Sequence, residues 1–161
     1  MPEQFVARTP EDLPRREQIA AMTGLEYMQA ICDGRLAGAP IAEGMNFRIH
    51  EVTKGEVAFR GTPEFRHFNP MGGVHGGWYG TLLDSALGCS VATMLEAGAG
   101  YTTLEYKVNL TRALKPGTLV ECRARVQHYG RATAVAEGTI LGVEDGKLYA
   151  TGSTTCIILR G

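Results

Sequence analysis

The sequence predicts an α+β fold in which a mostly antiparallel sheet wraps one long central helix, and three observations predict it. A glycine-rich run, Gly72-Gly73-Val74-His75-Gly76-Gly77, leads straight into a stretch where Trp78, Leu82, Leu83, Ala86, Leu87, Val91, Ala92, Met94 and Leu95 recur at helical spacing. That stretch is apolar nearly all round, so burying it demands a surrounding layer. On both sides of it stand segments that alternate apolar and polar residues, parted by hairpin-sized gaps.

Residues 1–15 hold Pro2, Pro10 and Pro14 amid mixed charge and read as an arm of low local order. Ile19, Met22, Leu25, Tyr27, Met28 and Ile31 then give an imperfect helical stripe over residues 16–33, with Gly34 as its stop. This extra N-terminal helix is expected to cover a sheet edge or a subunit contact; the alternative is that Met22, Tyr27 and Met28 line a pocket. Residues 1–44 are thus an arm and helix and residues 45–161 the main domain, within a single globular unit. Met45, Phe47 and Ile49 alternate with Asn46, Arg48 and His50, and Lys54-Gly55 turns the chain into a second strand through Val57 and Phe59. The central helix is expected to end near Gly98. Residues 102–110 alternate next, with Leu104, Tyr106, Val108 and Leu110 on one face and Thr103 and Glu105 on the other. Three more strands, 118–128, 131–143 and 147–159, are divided by Tyr129-Gly130 and Glu144-Asp145-Gly146. Ala132, Ala134, Ala136 and Gly138 are small enough for the helix to approach closely.

A chain of 161 residues with 44% apolar composition suits one domain with a real core. Its net charge of −1 gives no global attraction for nucleic acid or an anionic membrane, and no apolar run is long enough to span a bilayer. Residues 1–16 are too polar for a secretory signal. Cys32, Cys89, Cys122 and Cys156 lack paired metal-ligand spacing, which points to reduced thiols in a cytoplasmic protein. His67, His75 and Asp84 form too sparse a set for a metal site, and Cys89 has no basic neighbour to activate it.

Chemistry concentrates on Asp84, a single acid about two turns into the apolar helix. A desolvated carboxylate beside a cleft is how proteins tune a general base. Before it, Gly76 and Gly77 place backbone N–H groups at a helix N-terminus, where the dipole favours developing negative charge. Asp84 follows Gly76 by eight residues, on the order of 12 Å along the axis, too far for one chain to bring both to one carbonyl. A two-fold dimer with antiparallel central helices resolves this by setting Asp84 of one subunit opposite Gly76 of the other.

Asn69, the run His75-Gly76-Gly77 and Asp84 together resemble the signature of hotdog-fold acyl-CoA thioesterases of the phenylacetate-degradation, PaaI-like, family. The resemblance extends from about Met45 to Leu159 and continues in Gly100-Tyr101-Thr102-Thr103-Leu104-Glu105 and Lys115-Pro116-Gly117. It implies a hotdog fold and hydrolysis of an acyl-CoA thioester without a cofactor, coenzyme A being part of the substrate. By the same resemblance Asp84 is the catalytic carboxylate, Gly76 the main oxyanion donor, Asn69 and His75 supporting polar groups, and Thr103 a hydroxyl that helps hold the attacking water. Gly77 is a further substrate contact. Arg112, Lys115 and Arg131 stand at or beside loops, where charge-assisted bonds to the phosphates of coenzyme A are expected. The expected assembly is a homodimer with composite active sites, built up as a tetramer of two dimers. Two other functions fit such a scaffold: a hydratase or dehydratase of hydroxyacyl thioesters, and a sensor that binds acyl-CoA without turnover.

Overall fold

The computed structural model describes residues 3–160. In chain order the elements are α1 (Arg16–Ala20), α2 (Gly24–Cys32), α3 (Ile41–Gly44), β1 (Phe47–Thr53), β2 (Glu56–Gly61), α4 (Gly76–Ala92), β3 (Gly100–Leu110), β4 (Val120–Tyr129), β5 (Thr133–Gly142) and β6 (Leu148–Leu159). The six strands form one sheet in the order β1-β2-β4-β5-β6-β3, with every neighbouring pair antiparallel. The sheet curls around α4, giving the expected α+β hotdog architecture.

What holds α4 in place is burial on nearly every side. Trp78, Leu82, Leu83, Ala86, Leu87 and Val91 are all buried, packed on Val57 and Phe59 of β2, Cys122 and Ala124 of β4, and Ala134, Ala136 and Ile140 of β5. Removing each large side chain from water stabilises the fold by roughly 1.5–3 kcal/mol. The one indole N–H is satisfied by the Met45 carbonyl at 2.8 Å. The helix stops at Ala92, a turn or more before Gly98, because Thr93 ends it: the Thr93 hydroxyl donates to the Ser90 carbonyl at 2.7 Å and accepts the Gly55 N–H at 2.7 Å, tying the helix end to the β1–β2 turn.

The N-terminal region departs from expectation in two ways. The single helix over residues 16–33 is two, broken between Ala20 and Gly24. Thr23 caps α2 by accepting the Glu26 N–H while Glu26 answers to the Thr23 N–H, and a Cβ at Gly24 would lie 1.7 Å from the Ala92 carbonyl oxygen, so this turn must be glycine where it crosses the end of α4. The arm, in turn, is docked. Val6 and Ala7 are buried, Val6 bridges to Gly38, and Gln4 donates to the carbonyls of Cys32 and Ile49. Met1 and Pro2 lie outside the described residues.

Strand β3 carries the second correction. Thr103 pairs with Cys156 and Glu105 with Thr155, so Leu104 is an extra residue, a bulge. One inserted residue inverts the alternation downstream of it. Thr103 therefore shares the helix-facing side with Tyr106 and Leu110 instead of opposing them, and Leu104 turns outward.

Candidate active site

One face of α4 is a row at four-residue spacing: Gly76, Gly80, Asp84 and Gly88. Strand β3 lies along it. A Cβ at Gly76 would meet Leu110 at 3.1 Å, one at Gly80 would meet the Tyr106 hydroxyl at 3.5 Å, and one at Gly88 would meet the Tyr101 hydroxyl at 2.9 Å. Three glycines let strand and helix close on each other, and the only side chain in the row is the carboxylate. It meets Thr103, whose hydroxyl stands 3.5 Å from Asp84 Oδ1, at the outer limit of a hydrogen bond. The Leu104 bulge is what keeps Tyr106 and Leu110 on the same face as that hydroxyl and Tyr101.

Asp84 is half-buried, and burial raises its pKa above the ordinary 3.8, the Thr103 hydroxyl pulling weakly the other way. It borders a chamber of about 540 Å³ closed on the far side by the N-terminal segment, through Tyr27, Met28, Ile31 and their neighbours. The pocket-lining alternative is thus the one this geometry favours for α2, and Met22, Tyr27 and Met28 all border the chamber. Cys89, half-buried, also borders it, but desolvation pushes its thiol up to about 12, so no thiolate is on hand.

Gly76 does not border this chamber; it stands at the first position of α4, and its N–H meets no acceptor among the described residues. His75 is the N-cap. Its Nδ1 accepts the Gly77 N–H at 2.8 Å, and its own N–H donates to the His67 carbonyl at 2.8 Å. Gly77 is therefore withdrawn as a donor to substrate, its N–H being spent on the cap. Asn69 organises the preceding loop: Oδ1 accepts the N–H groups of Met71 at 2.9 Å and Gly73 at 3.2 Å. His67 is buried and pinned between the Glu64 N–H and the Gly44 carbonyl, away from Asp84.

Of the three expected cations, the structure brings together two. Arg112 and Lys115 border a polar hollow beside the tip of α4, where the Tyr79 hydroxyl accepts the Leu114 N–H at 2.7 Å and fixes the loop. Arg131 sits at the β4–β5 turn, where its carbonyl accepts a bond from Arg160, and borders neither hollow. Tyr101 and Tyr106, which complete the β3 face, were not singled out from sequence; the four-residue glycine spacing around Asp84 is the signal that points to them.

Comparison with known proteins agrees with this reading of the fold. The thioesterase superfamily model matches residues 71–149. A phenylacetic acid degradation-related protein from Ralstonia eutropha superposes with a TM-score of 0.74 at 29% identity, covering 81% of this chain and 98% of that one. A thioesterase-type protein of Streptococcus pneumoniae, solved with coenzyme A, gives a TM-score of 0.65 at 25% identity, covering 72% and 89%. A Caenorhabditis elegans protein named as an esterase is 29% identical over 109 residues, 68% of this chain; the match spans 64% of that relative's own length.

Proposed function

The chain carries a thioesterase-superfamily domain in a hotdog fold, and from that premise we propose that it hydrolyses an acyl-CoA thioester at sites shared between the two subunits of a homodimer. The observation that carries the proposal is the separation of two half-sites on one rigid helix: a desolvated carboxylate with its hydroxyl partner at the end of an apolar chamber, and an unengaged N–H at the helix tip outside it.

Strand β3 supplies the means of joining them. It is an eleven-residue edge strand that exposes Leu104 by 57%, Tyr106 by 46% and Leu110 by 54%, a surface that invites pairing. The opposite end of the sheet is charged instead, with Arg60 on Glu121 at 3.0 Å and Arg123 on Glu51, Glu56 and Glu121. Gly80 lies midway between Gly76 and Asp84 in the row, and Tyr106, next to the middle of β3, lies over it. A two-fold axis through that point sets Asp84 level with the tip of the partner's α4.

In the reaction, water held between Asp84 and Thr103 gives a proton to the Asp84 carboxylate as its oxygen attacks the thioester carbonyl carbon. The carbonyl oxygen, now negative, is stabilised by the Gly76 N–H across the interface and by the α4 dipole. Cleavage of the C–S bond releases the acid and the coenzyme A thiolate, which takes the proton back from Asp84 and restores the carboxylate. Arg112 and Lys115, beside the same tip, hold the phosphates of coenzyme A at the surface.

Subunit mixing tests this reading. Gly76→Pro deletes the N–H at the first helical position, where proline is tolerated, and His75, at φ −63° and ψ 137°, already has the extended conformation a following proline requires. Asp84→Asn and Gly76→Pro, each inactive alone, should recover about a quarter of wild-type thiol release when mixed equally, because half of the dimers then hold one intact site of two. No recovery after verified subunit exchange overturns the shared site. A wild-type protein that releases no thiol from any acyl-CoA overturns the hydrolase.

A further inference from the structure

The chamber behind Asp84 has one polar end and an apolar body, and its shape says what kind of acyl group it takes. Its volume is about 540 Å³, inside the usual range for small-molecule sites. At the polar end stand Asp84, Ser85 and Thr103; the body is hydrocarbon and aromatic, and much of it comes from the N-terminal segment. Five other polar side chains border it: Gln4 and Arg48 are turned onto backbone, the Tyr101 hydroxyl lies against Gly88 one turn along α4 from Asp84, and Tyr27 and Cys89 add a hydroxyl and a thiol. Gln4 donates to the carbonyls of Cys32 at 2.9 Å and Ile49 at 2.8 Å, and Arg48 donates to the Phe47 carbonyl at 2.8 Å. Apart from those two hydroxyls and the thiol, the body offers a ligand chiefly hydrocarbon.

We infer that the acyl group is a medium-length hydrocarbon chain, lodged beneath α2 with its thioester at Asp84, and that Met28 sets the chain length the chamber accepts. The inference rests on the thioesterase reading for the position of the thioester. A methylene fills about the space of a water molecule, roughly 30 Å³, so the chamber has room for about eighteen of them: a chain of ten to twelve carbons occupies more than half of it, while an acetyl or arylacetyl group leaves more than half empty. Empty apolar space is unfavourable, and each added buried methylene strengthens binding roughly fourfold until the space is full. Met28 is buried in the second turn of α2 and borders the chamber, so its volume subtracts directly from the room available.

The test measures kcat and KM of the full-length protein on acetyl-, butyryl-, phenylacetyl-, decanoyl-, dodecanoyl- and ω-carboxydecanoyl-CoA, with calorimetric binding of free decanoate alongside. Expected is a kcat/KM at least tenfold higher for decanoyl- and dodecanoyl-CoA than for butyryl- and phenylacetyl-CoA. Met28→Trp should lower the decanoyl-to-butyryl ratio at least tenfold and weaken decanoate binding in step. Met28→Ala, which adds room, should move the optimum to longer chains, and it decides the matter if the tryptophan variant does not fold. A flat chain-length profile, a preference for the phenylacetyl or ω-carboxy substrate, or a ratio unmoved by either variant overturns the inference. If no thioester is hydrolysed, decanoate binding that Met28→Trp abolishes still supports the hydrocarbon chamber and isolates the failure in the hydrolase reading; absence of that binding as well overturns both.

Discussion

The tip and the middle of α4 lie eight residues apart on one helix but are made of opposite materials. The tip is glycine with solvent around it, and the bonds that order its loop are local: Asn69 folds the loop, His75 caps the first turn, and the Gly76 N–H meets no acceptor among the described residues. The middle is a carboxylate among apolar side chains, and what orders it is distant: a hydroxyl from β3 and a wall from the N-terminal segment. The difference teaches that the two halves of the site are under separate control. A change at the tip should fall chiefly on transition-state stabilisation, while the middle responds to anything that moves β3 or α2.

The sharpest way to break the comparison is Asp84→Asn. Loss of a positioned base should lower kcat by roughly 10²- to 10⁴-fold with KM little changed, measured by thiol release. Gly76→Pro should lower kcat by roughly 10²- to 10³-fold, the effect of one oxyanion donor, while its new Cβ presses on the exposed Leu110 side chain and costs no more than about 1–3 kcal/mol of stability. A large fall in stability would show that the tip is structural after all.

Gly24→Ala probes the remote wall. The new Cβ would press on the Ala92 carbonyl, and the strain should destabilise the fold by about 1–3 kcal/mol, read as a lower denaturant midpoint, with loss of medium-chain turnover exceeding loss of short-chain turnover. An equal loss on every substrate would separate α2 from the chamber.

The smallest effects concern protons. In the proposed reaction Asp84 must be ionised, and burial raises its pKa above 3.8, so kcat/KM should climb with pH through an inflection above the ordinary carboxylate value. The Thr103 hydroxyl lowers that pKa, so Thr103→Val should move the inflection further up. The native state also holds the Asp84 proton to higher pH than the unfolded chain does, so stability falls as pH rises through the interval between 3.8 and the raised value. Asp84→Asn should therefore melt higher than wild type at pH 7, and the gap should close as pH drops below 3.8; a melting difference independent of pH would contradict burial as the cause.

Much of this was legible in the sequence because it is local. Helical spacing after the glycine run identified α4, alternation and turn residues identified the strands, and the lone acid in an apolar helix identified Asp84. What escaped reading depended on contacts between distant segments. The break at Gly24 answers to the Ala92 carbonyl, sixty-eight residues on, and no local pattern reports that. The Leu104 bulge is invisible to an alternation count, which assumed unbroken phase and so placed Thr103 opposite Tyr106. Gly77 read as a donor to substrate because a histidine two positions from a glycine does not say which N–H its ring will take. Arg131 was grouped with Arg112 and Lys115 by charge and loop position, which fix no location in space.

The chamber's wall comes from a stretch of chain that contributes no atom to the proposed bond-breaking step. Substitutions between Phe5 and Ile41 can reshape the compartment while the rod, its acid and its amide stay as they are. Related proteins on this scaffold thus have a route to new diets that leaves the reaction untouched: redraw the lining and keep the engine.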